Sequence, residues 1–180
     1  MKISLIITVI IFLTGAGVFW YFQGPAQNLE VQPPSSSTPI PSLTQTYTDS
    51  AQHFSFNYPE GYSVREVSGD DTSRVLVIES ASATDGIQII ITPDYLDSSI
   101  TAEAIHEAIP DMKVENPQSF PVGANSGLAF QSDNSAFGGA SREVWFVYNG
   151  FLYQISTYAE SDELLKKIFE TWTFFESSIE

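Results

Sequence analysis

The chain has 180 residues, no cysteine, and 22 Asp and Glu residues against seven Lys and Arg residues, so its formal net charge is −15. This charge excludes a nucleic-acid-binding protein, because such proteins bind phosphates through Lys and Arg. The absence of cysteine excludes disulfides and thiol catalysis, so the fold must be stabilised by its hydrophobic core.

The first predicted element is an uncharged apolar segment at residues 3–22. A helix of about 20 residues rises about 30 Å and spans the hydrocarbon core of a bilayer. Lys2 precedes the segment and the next charge is Glu30, so the positive-inside rule predicts a single-pass signal-anchor in the cell membrane, with a cytoplasmic N-terminus and everything after residue 22 outside. Small residues around Gly17 keep an alternative open, in which the protein is cleaved there and secreted. Retention is favoured because cleavage there leaves an exposed apolar N-terminus.

A change of composition follows the apolar segment. Residues 23–47 are rich in proline and serine and carry almost no aromatic side chains. Such a stretch buries too little apolar surface to offset its ordering entropy, and its prolines favour extended conformations. We therefore predict a flexible linker at 23–47 and one extracytoplasmic domain at 48–180.

The first half of the predicted domain consists of strands. Residues 53–58 alternate between polar and aromatic side chains, which is typical of a half-buried strand, and residues 62–67 can pair back as a short strand. Residues 74–79 and 86–92 are nearly continuous apolar runs. Such runs predict central strands that are at least partly covered on both faces.

A short helix is predicted next. Thr101 is its N-cap, and Pro110 ends or distorts it. Residues 120–122 and 128–131 are weaker strand candidates, and residues 132–141 are predicted to form a loop.

The strongest local signal is a hairpin. Asn149 and Gly150 form the preferred type I′ turn between the aromatic-rich runs at 142–148 and 151–158. Both faces of this hairpin carry bulky side chains. One face must meet the core, and we expect a helix to cover the other, although a binding surface is the alternative.

The domain ends with a second helix and a short strand. Ser161 is the predicted N-cap, acidic residues occupy the first turn, and an apolar stripe faces the sheet. Residues 173–175 can add a closing strand. The order of elements predicts an α+β fold, in which an antiparallel or mixed twisted sheet is flanked by helices.

Three segments resemble the PsbP-like family, which comprises the extrinsic photosystem II subunit and its non-photosynthetic relatives. They are residues 54–59 with Tyr62, residues 122–130, and residues 148–153 followed by a helix that ends at 172–174. The resemblance implies an α/β/α sandwich that serves as a non-enzymatic binding or assembly module. The photosynthetic members resemble basic, lysine-rich docking proteins, so this acidic chain is more similar to a non-photosynthetic relative. No functional residue is carried over.

No motif predicts a catalytic, cofactor-binding or metal-binding residue. His53 and His106 are both expected on polar faces, without metal-ligand spacing, and no Gly-x-Ser-x-Gly motif is present. Acidic turns offer oxygen ligands for calcium, but they lack the EF-hand spacing. These turns contain Asp70 with Asp71, Asp94 with Asp97, and Asp133 with Asn134.

Three functional hypotheses follow. The first is a membrane-tethered extracytoplasmic binding or assembly module without catalytic activity, which binds another envelope protein. The acidic charge fits a basic partner, although the solubility of an exported surface is the simpler explanation. The second, based on the aromatic hairpin, is a carrier or sensor of a small apolar ligand held between the sheet and a helix. The third is a hydrolase with dispersed residues, which requires His53 or His106 in a cleft.

Overall fold

The computed structural model of the protein describes residues 40–67, 72–81, 86–95 and 99–176. The predicted anchor at 3–22 and most of the predicted linker lie outside the described residues. Among the residues that are described, no helix is long and apolar enough to cross a membrane.

The described residues form ten strands and two α-helices. The strands are β1 (Leu43–Asp49), β2 (Phe54–Pro59), β3 (Tyr62–Val67), β4 (Arg74–Ser80), β5 (Gly86–Thr92), β6 (Glu115–Val122), β7 (Asn125–Ser132), β8 (Ser141–Tyr148), β9 (Phe151–Tyr158) and β10 (Thr173–Phe174), and the helices are α1 (Ala102–Ala108) and α2 (Asp162–Glu170). The six predicted strands with the clearest apolar patterns all form within one residue of their expected ends.

Two sheets are present instead of the single predicted sheet. The main sheet has seven strands in the order β3-β4-β5-β9-β8-β7-β6, and the small sheet has three in the order β1-β2-β10. All pairings between these strands are antiparallel. Within the main sheet, the pairing of β5 with β9 joins an N-terminal meander to a C-terminal one. The long segment between them carries α1 and crosses to the opposite edge.

The linker prediction was wrong at its C-terminal end, because residues 43–47 belong to β1. They pair with β2, and the Tyr47 ring lies 5.2 Å from that of Phe56 and 6.1 Å from that of Phe54. Tyr47, the partly buried Leu43 and a ladder of backbone hydrogen bonds hold this short strand at the sheet edge. The sequence around β1 does not indicate that it pairs with β2.

The main sheet is covered on both faces. One face packs against the small sheet and α2 around buried residues Phe54, Phe56, Leu76, Ile78, Ile87, Ile89, Ile91, Val122, Val144, Phe146, Tyr153, Ile155, Leu164, Leu165 and Ile168. The other face packs against α1 around Ile100, Ile105, Leu128, Phe130, Trp145, Val147 and Leu152. Helices thus lie on both faces, as the sandwich prediction requires, but α2 shares its layer with the small sheet.

Ion pairs join the two sheets at β1. The carboxylate of Asp49, which is buried, lies 3.0 Å from the Arg74 guanidinium of β4 and accepts hydrogen bonds from the backbone of Ala51 and Gln52. Arg74 also pairs with Glu66 of β3 at 2.8 Å. The turn after β1 is therefore fixed by a charge on the main sheet.

Local sequence signals explain most turns and helix ends. The Thr101 hydroxyl accepts a hydrogen bond from the Ala104 backbone at 3.2 Å, which caps α1 as predicted. Asn149 and Gly150 have the positive φ values, 48° and 78°, that a type I′ hairpin requires. Ser161 makes no capping bond, because a turn of 3₁₀-helix leads directly into α2 and keeps its backbone from the extended conformation of an N-cap.

The weak strand signal at 120–122 belongs to a longer edge strand, β6. Pro117 and Pro121 interrupt its sequence pattern. Proline cannot donate a ladder hydrogen bond and is therefore confined to edge strands, which is the position of β6 in the main sheet.

Gly127 leaves room for an aromatic ring of the neighbouring strand. Phe120 lies opposite Gly127, and a Cβ at position 127 would stand 2.4 Å from the Phe120 Cζ atom. We expect Gly127→Ala to lower the free energy of unfolding by about 1–3 kcal/mol, because Phe120 must leave its place against Phe169. Urea unfolding measures this loss.

Gly86→Ala is the matched control, since a Cβ at this strand position meets its nearest atom only at 3.9 Å. We expect it to change stability by less than about 1 kcal/mol. Equal losses in the two variants would contradict the clash with Phe120.

Candidate functional site

Of the described residues that the sequence singled out, Asp133 and Asn134 line the cavity described below, whereas the two histidines lie elsewhere. His106 is exposed on α1, and His53 is half-buried with its ring 5.7 Å from that of Phe175. Asp133 pairs with Lys113 at 2.7 Å. In the described ranges, no group of three or more His, Asp and Glu side chains could hold a metal ion. Asp70, Asp71 and Asp97 lie outside those ranges.

A cavity of about 260 Å³ opens on the face of the main sheet that also carries α1. Its walls come from the segment after α1 and from residues 132–136, at the end of β7 and in the loop before β8. Two rows of side chains on β5, β9 and β8 form its floor. They are Gln88, Ser156 and Glu143 in one row, and Ile90, Gln154 and Trp145 in the other.

Glu143 is the buried acid of this floor, with none of its surface exposed. Its Oε1 accepts hydrogen bonds from the Ser141 hydroxyl at 2.8 Å and the Asn134 amide at 3.3 Å. Its Oε2 accepts from the Trp145 indole at 3.3 Å and from the Ser156 hydroxyl. These donors occupy about four acceptor sites, the full capacity of a carboxylate.

Strand geometry explains why these groups meet. Ser141 and Trp145 lie two residues before and after Glu143 on β8, so all three side chains point to the same face. Ser156 is the cross-strand partner of Glu143 on β9. Asn134 arrives from the loop, where its side chain also accepts a hydrogen bond from the Ala136 backbone at 3.0 Å. The carboxylate therefore holds the cavity wall against its floor.

Burial raises the pKa of the Glu143 carboxyl above its usual value, and the four donated hydrogen bonds oppose this effect. The unfolded chain therefore loses this proton at a lower pH than the folded protein does. The contribution to stability is present in full below about pH 4.5, the ordinary value, and is lost as the pH rises through the raised pKa.

We expect this contribution to appear as a pH-dependent difference between the wild type and Glu143→Gln. The variant cannot titrate at this position, so the stability of the wild type relative to the variant should fall as the pH rises from about 4 to about 7. Urea unfolding at several pH values measures the difference. A difference that grows with pH would show that the hydrogen bonds outweigh burial and lower the pKa.

Gln154 is the second unusual residue of the floor. It is only 8% exposed, yet its side-chain amide forms no hydrogen bond with any other described residue. Buried amides are nearly always paired, because an unpaired one loses the hydrogen bonds that it makes with water. Neither amide atom is among the buried unpaired polar atoms of the described residues, so the amide faces the cavity, where water or a ligand can pair with it.

The aromatic hairpin is covered on both faces, as the sequence analysis favoured. Phe146 belongs to the core beneath α2, and Trp145 is buried beside α1. The polar residues that share the Trp145 face were not identified from sequence. Gln88 and Gln154 interrupt apolar runs, and this interruption is the signal that could have located the floor.

Solved structures show what the domain is similar to. Cyanobacterial PsbP (CyanoP) from Synechocystis sp. PCC 6803 matches with a TM-score of 0.52 and 12% identity, over 79% of this chain and 98% of that one. The domain has a PsbP-like fold. A protein from Bacteroides thetaiotaomicron matches with a TM-score of 0.43 and 10% identity, over 73% of this chain and 48% of that one. No family model matches the sequence, and no curated protein matches it significantly.

The PsbP-like fold confirms the resemblance drawn from the three sequence segments. At 12% identity it extends to the architecture alone. The similarity therefore does not identify the ligands or partners of this domain, and its own side chains must indicate them.

Proposed function

We propose that this protein is a membrane-tethered binding module without catalytic activity. Residues 3–22 anchor it, residues 23–42 form the spacer, and the PsbP-like domain lies outside the membrane. There it binds another envelope protein that presents a basic surface. The fold, which the sequence resemblance associates with binding and assembly modules, supports this proposal.

The observation that carries the proposal is the distribution of charge. Five of the described basic side chains form ion pairs with carboxylates: Arg65, Arg74, Lys113, Arg142 and Lys166. Lys167 is the one other Lys or Arg of the described part of the chain. The surface is thus left with unpaired carboxylates and almost no free cation, so it attracts basic partners and repels nucleic acid.

One row of acids concentrates this charge. Glu103, Glu107, Asp111 and Glu115 follow one another at intervals of four residues along α1 and the segment after it, and all four are exposed. None of them forms an ion pair with a described residue, whereas Lys113 in the same segment pairs with Asp133. We name these four residues the acidic row.

Crosslinking in intact cells tests the partner. A photoreactive residue at position 107 of the full chain is expected to give an adduct with a second protein, and the charge reversals Glu103→Lys and Asp111→Lys should abolish it. Glu170, an exposed acid on α2, is the control position. Monomer alone at both positions, or equal adducts at both, would contradict the proposal.

Fractionation tests the anchor. The full chain is expected to stay with the membrane in alkaline carbonate, and protease added outside the cells should degrade the domain. Deletion of residues 3–22 should abolish both export and membrane retention. A soluble mature protein that lacks residues 1–17 would instead establish cleavage near Gly17.

The cavity favours a second candidate function, the carrier or sensor of a small ligand. Its floor contains Gln88, Gln154 and Glu143, so a purely apolar ligand does not match it. The hydrolase hypothesis receives no such support, because neither histidine lines this cavity.

A further inference from the structure

We propose that the cavity enclosed by the main sheet, the segment after α1 and residues 132–136 binds an alkylammonium group, supplied either by a small amine or by a lysine side chain of a partner protein. This inference rests on the proposed binding function. It specifies which chemical group enters the cavity and which residues hold it.

The side-chain amide of Gln154 is a group that a ligand in the cavity can bind. This residue is about nine-tenths buried and lines the cavity, and its side chain forms no hydrogen bond with a described residue. Its carbonyl oxygen can accept a hydrogen bond from a ligand N–H group. Gln88, on the neighbouring strand, adds a second amide to the same floor.

The negative charge of the cavity lining favours a cationic ligand. The described cavity lining includes Asp111, Asp133 and Glu143, but no Lys, Arg or His. Asp133 is neutralised by Lys113, and the four donors of Glu143 saturate it. Asp111 remains unpaired at the mouth, within the acidic row. The one unpaired carboxylate of the described lining, that of Asp111, attracts a cation and repels an anion.

The size of the cavity and the apolar side chains of its lining suit a short alkyl chain. The volume of about 260 Å³ lies just below the range of about 300–1,000 Å³ that is typical of small-molecule pockets, so the cavity suits a small ligand. Ile90, Ile109 and Met112 supply apolar surface for a short alkyl chain. The Trp145 indole lines the same space, and aromatic rings attract cations. The floor amides, the apolar side chains and the carboxylate of Asp111 together match an alkyl chain that ends in an ammonium group.

The probe is n-butylamine, which is protonated at neutral pH, and its uncharged and anionic counterparts are n-butanol and butyrate. Each is titrated into the full chain in phospholipid nanodiscs, while NMR follows the side-chain amide signals of Gln154 and the indole N–H signal of Trp145. We expect saturable shifts with butylamine, affinity at least about tenfold weaker for butanol, and no binding of butyrate.

Two variants test the residues. Gln154→Leu keeps the approximate size of the side chain and should weaken butylamine binding at least about tenfold, because the hydrogen bond to the ammonium group is lost. Gln118→Leu, at an exposed glutamine of β6, is the control and should bind as the wild type does. Asp111→Asn, at an exposed position without an ion pair to a described residue, should weaken binding about threefold.

The source of the group is distinguished by Nα-acetyl-lysine amide, which represents a lysine side chain within a protein. Tighter binding of this compound than of butylamine would identify a partner side chain, and the reverse order would identify a free amine. Either order supports the proposal. Equal binding of butanol and butylamine, or no shift with any amine, would overturn it, whereas crosslinking through the acidic row would still test the proposed function separately.

Discussion

Replacement of Phe146 by alanine is expected to lower the free energy of unfolding by about 3–5 kcal/mol. Phe146 is 0% exposed, and its ring stacks on that of Tyr153 with 4.8 Å between centroids. It also contacts Phe169, at the end of α2, and Trp172, with centroids 5.7 and 6.0 Å away. The ring thus joins the main sheet to α2 and to the segment that follows it, and its loss leaves a cavity where these elements meet.

This loss is a large share of the total stability, since domains of this size are stable by about 5–15 kcal/mol. Urea unfolding followed by circular dichroism measures it. Phe175→Ala is the matched control, because Phe175 is 40% exposed and should lose less than about 1 kcal/mol. A similar small loss for Phe146→Ala would contradict its central position in the core.

Replacement of Glu143 by leucine is expected to cost about 3–5 kcal/mol, although it places an apolar side chain of similar size in a buried position. The change leaves the donors of Ser141, Trp145, Ser156 and Asn134 without their shared acceptor. Each unpaired buried donor costs about 1–3 kcal/mol, and water in the cavity recovers part of that cost. The sum exceeds what an extra apolar side chain gains.

The Glu143→Gln variant distinguishes the contribution of the carboxylate group to stability from the contribution of the shape of the side chain. Its amide keeps one acceptor oxygen but replaces the other with a donor, so we expect an intermediate loss of about 1–3 kcal/mol. Hydrogen exchange should also accelerate at the backbone of Asn134 and Ala136 in the leucine variant, because their loop loses its tether. A leucine variant as stable as the wild type would show that the carboxylate does not stabilise the cavity wall.

Patterns confined to a few neighbouring residues were predicted well. Alternation in β2, the apolar run of β5 and the Asn149-Gly150 turn each depend on backbone geometry within one or two strands. The cap at Thr101 depends on a backbone group three residues away. Such interactions form in the same way whatever surrounds them, so the sequence is sufficient to identify them.

The strand β1 and the Ser161 position show the limit of that reasoning. Residues 43–47 have the composition of a linker, and they become a strand because β2 offers them an edge and a pair of aromatic rings. Ser161 has the composition of an N-cap, and it fails to cap because the chain enters α2 through a turn of 3₁₀-helix. For β1 the deciding partner is a separate strand, and for Ser161 it is the path of the backbone into α2. Neither can be recognised from the local sequence pattern.

The sequence by itself determined the acidic charge, the absence of thiol chemistry, the α+β order of elements and the PsbP-like resemblance, because these depend on composition and local periodicity. Only the tertiary structure decided that Gln88, Glu143 and Gln154 share one cavity floor. These residues are far apart in the chain, and the pairing of β5 with β9 and of β9 with β8 brings them together. Strand register assembles this site, and register is set by the whole sheet.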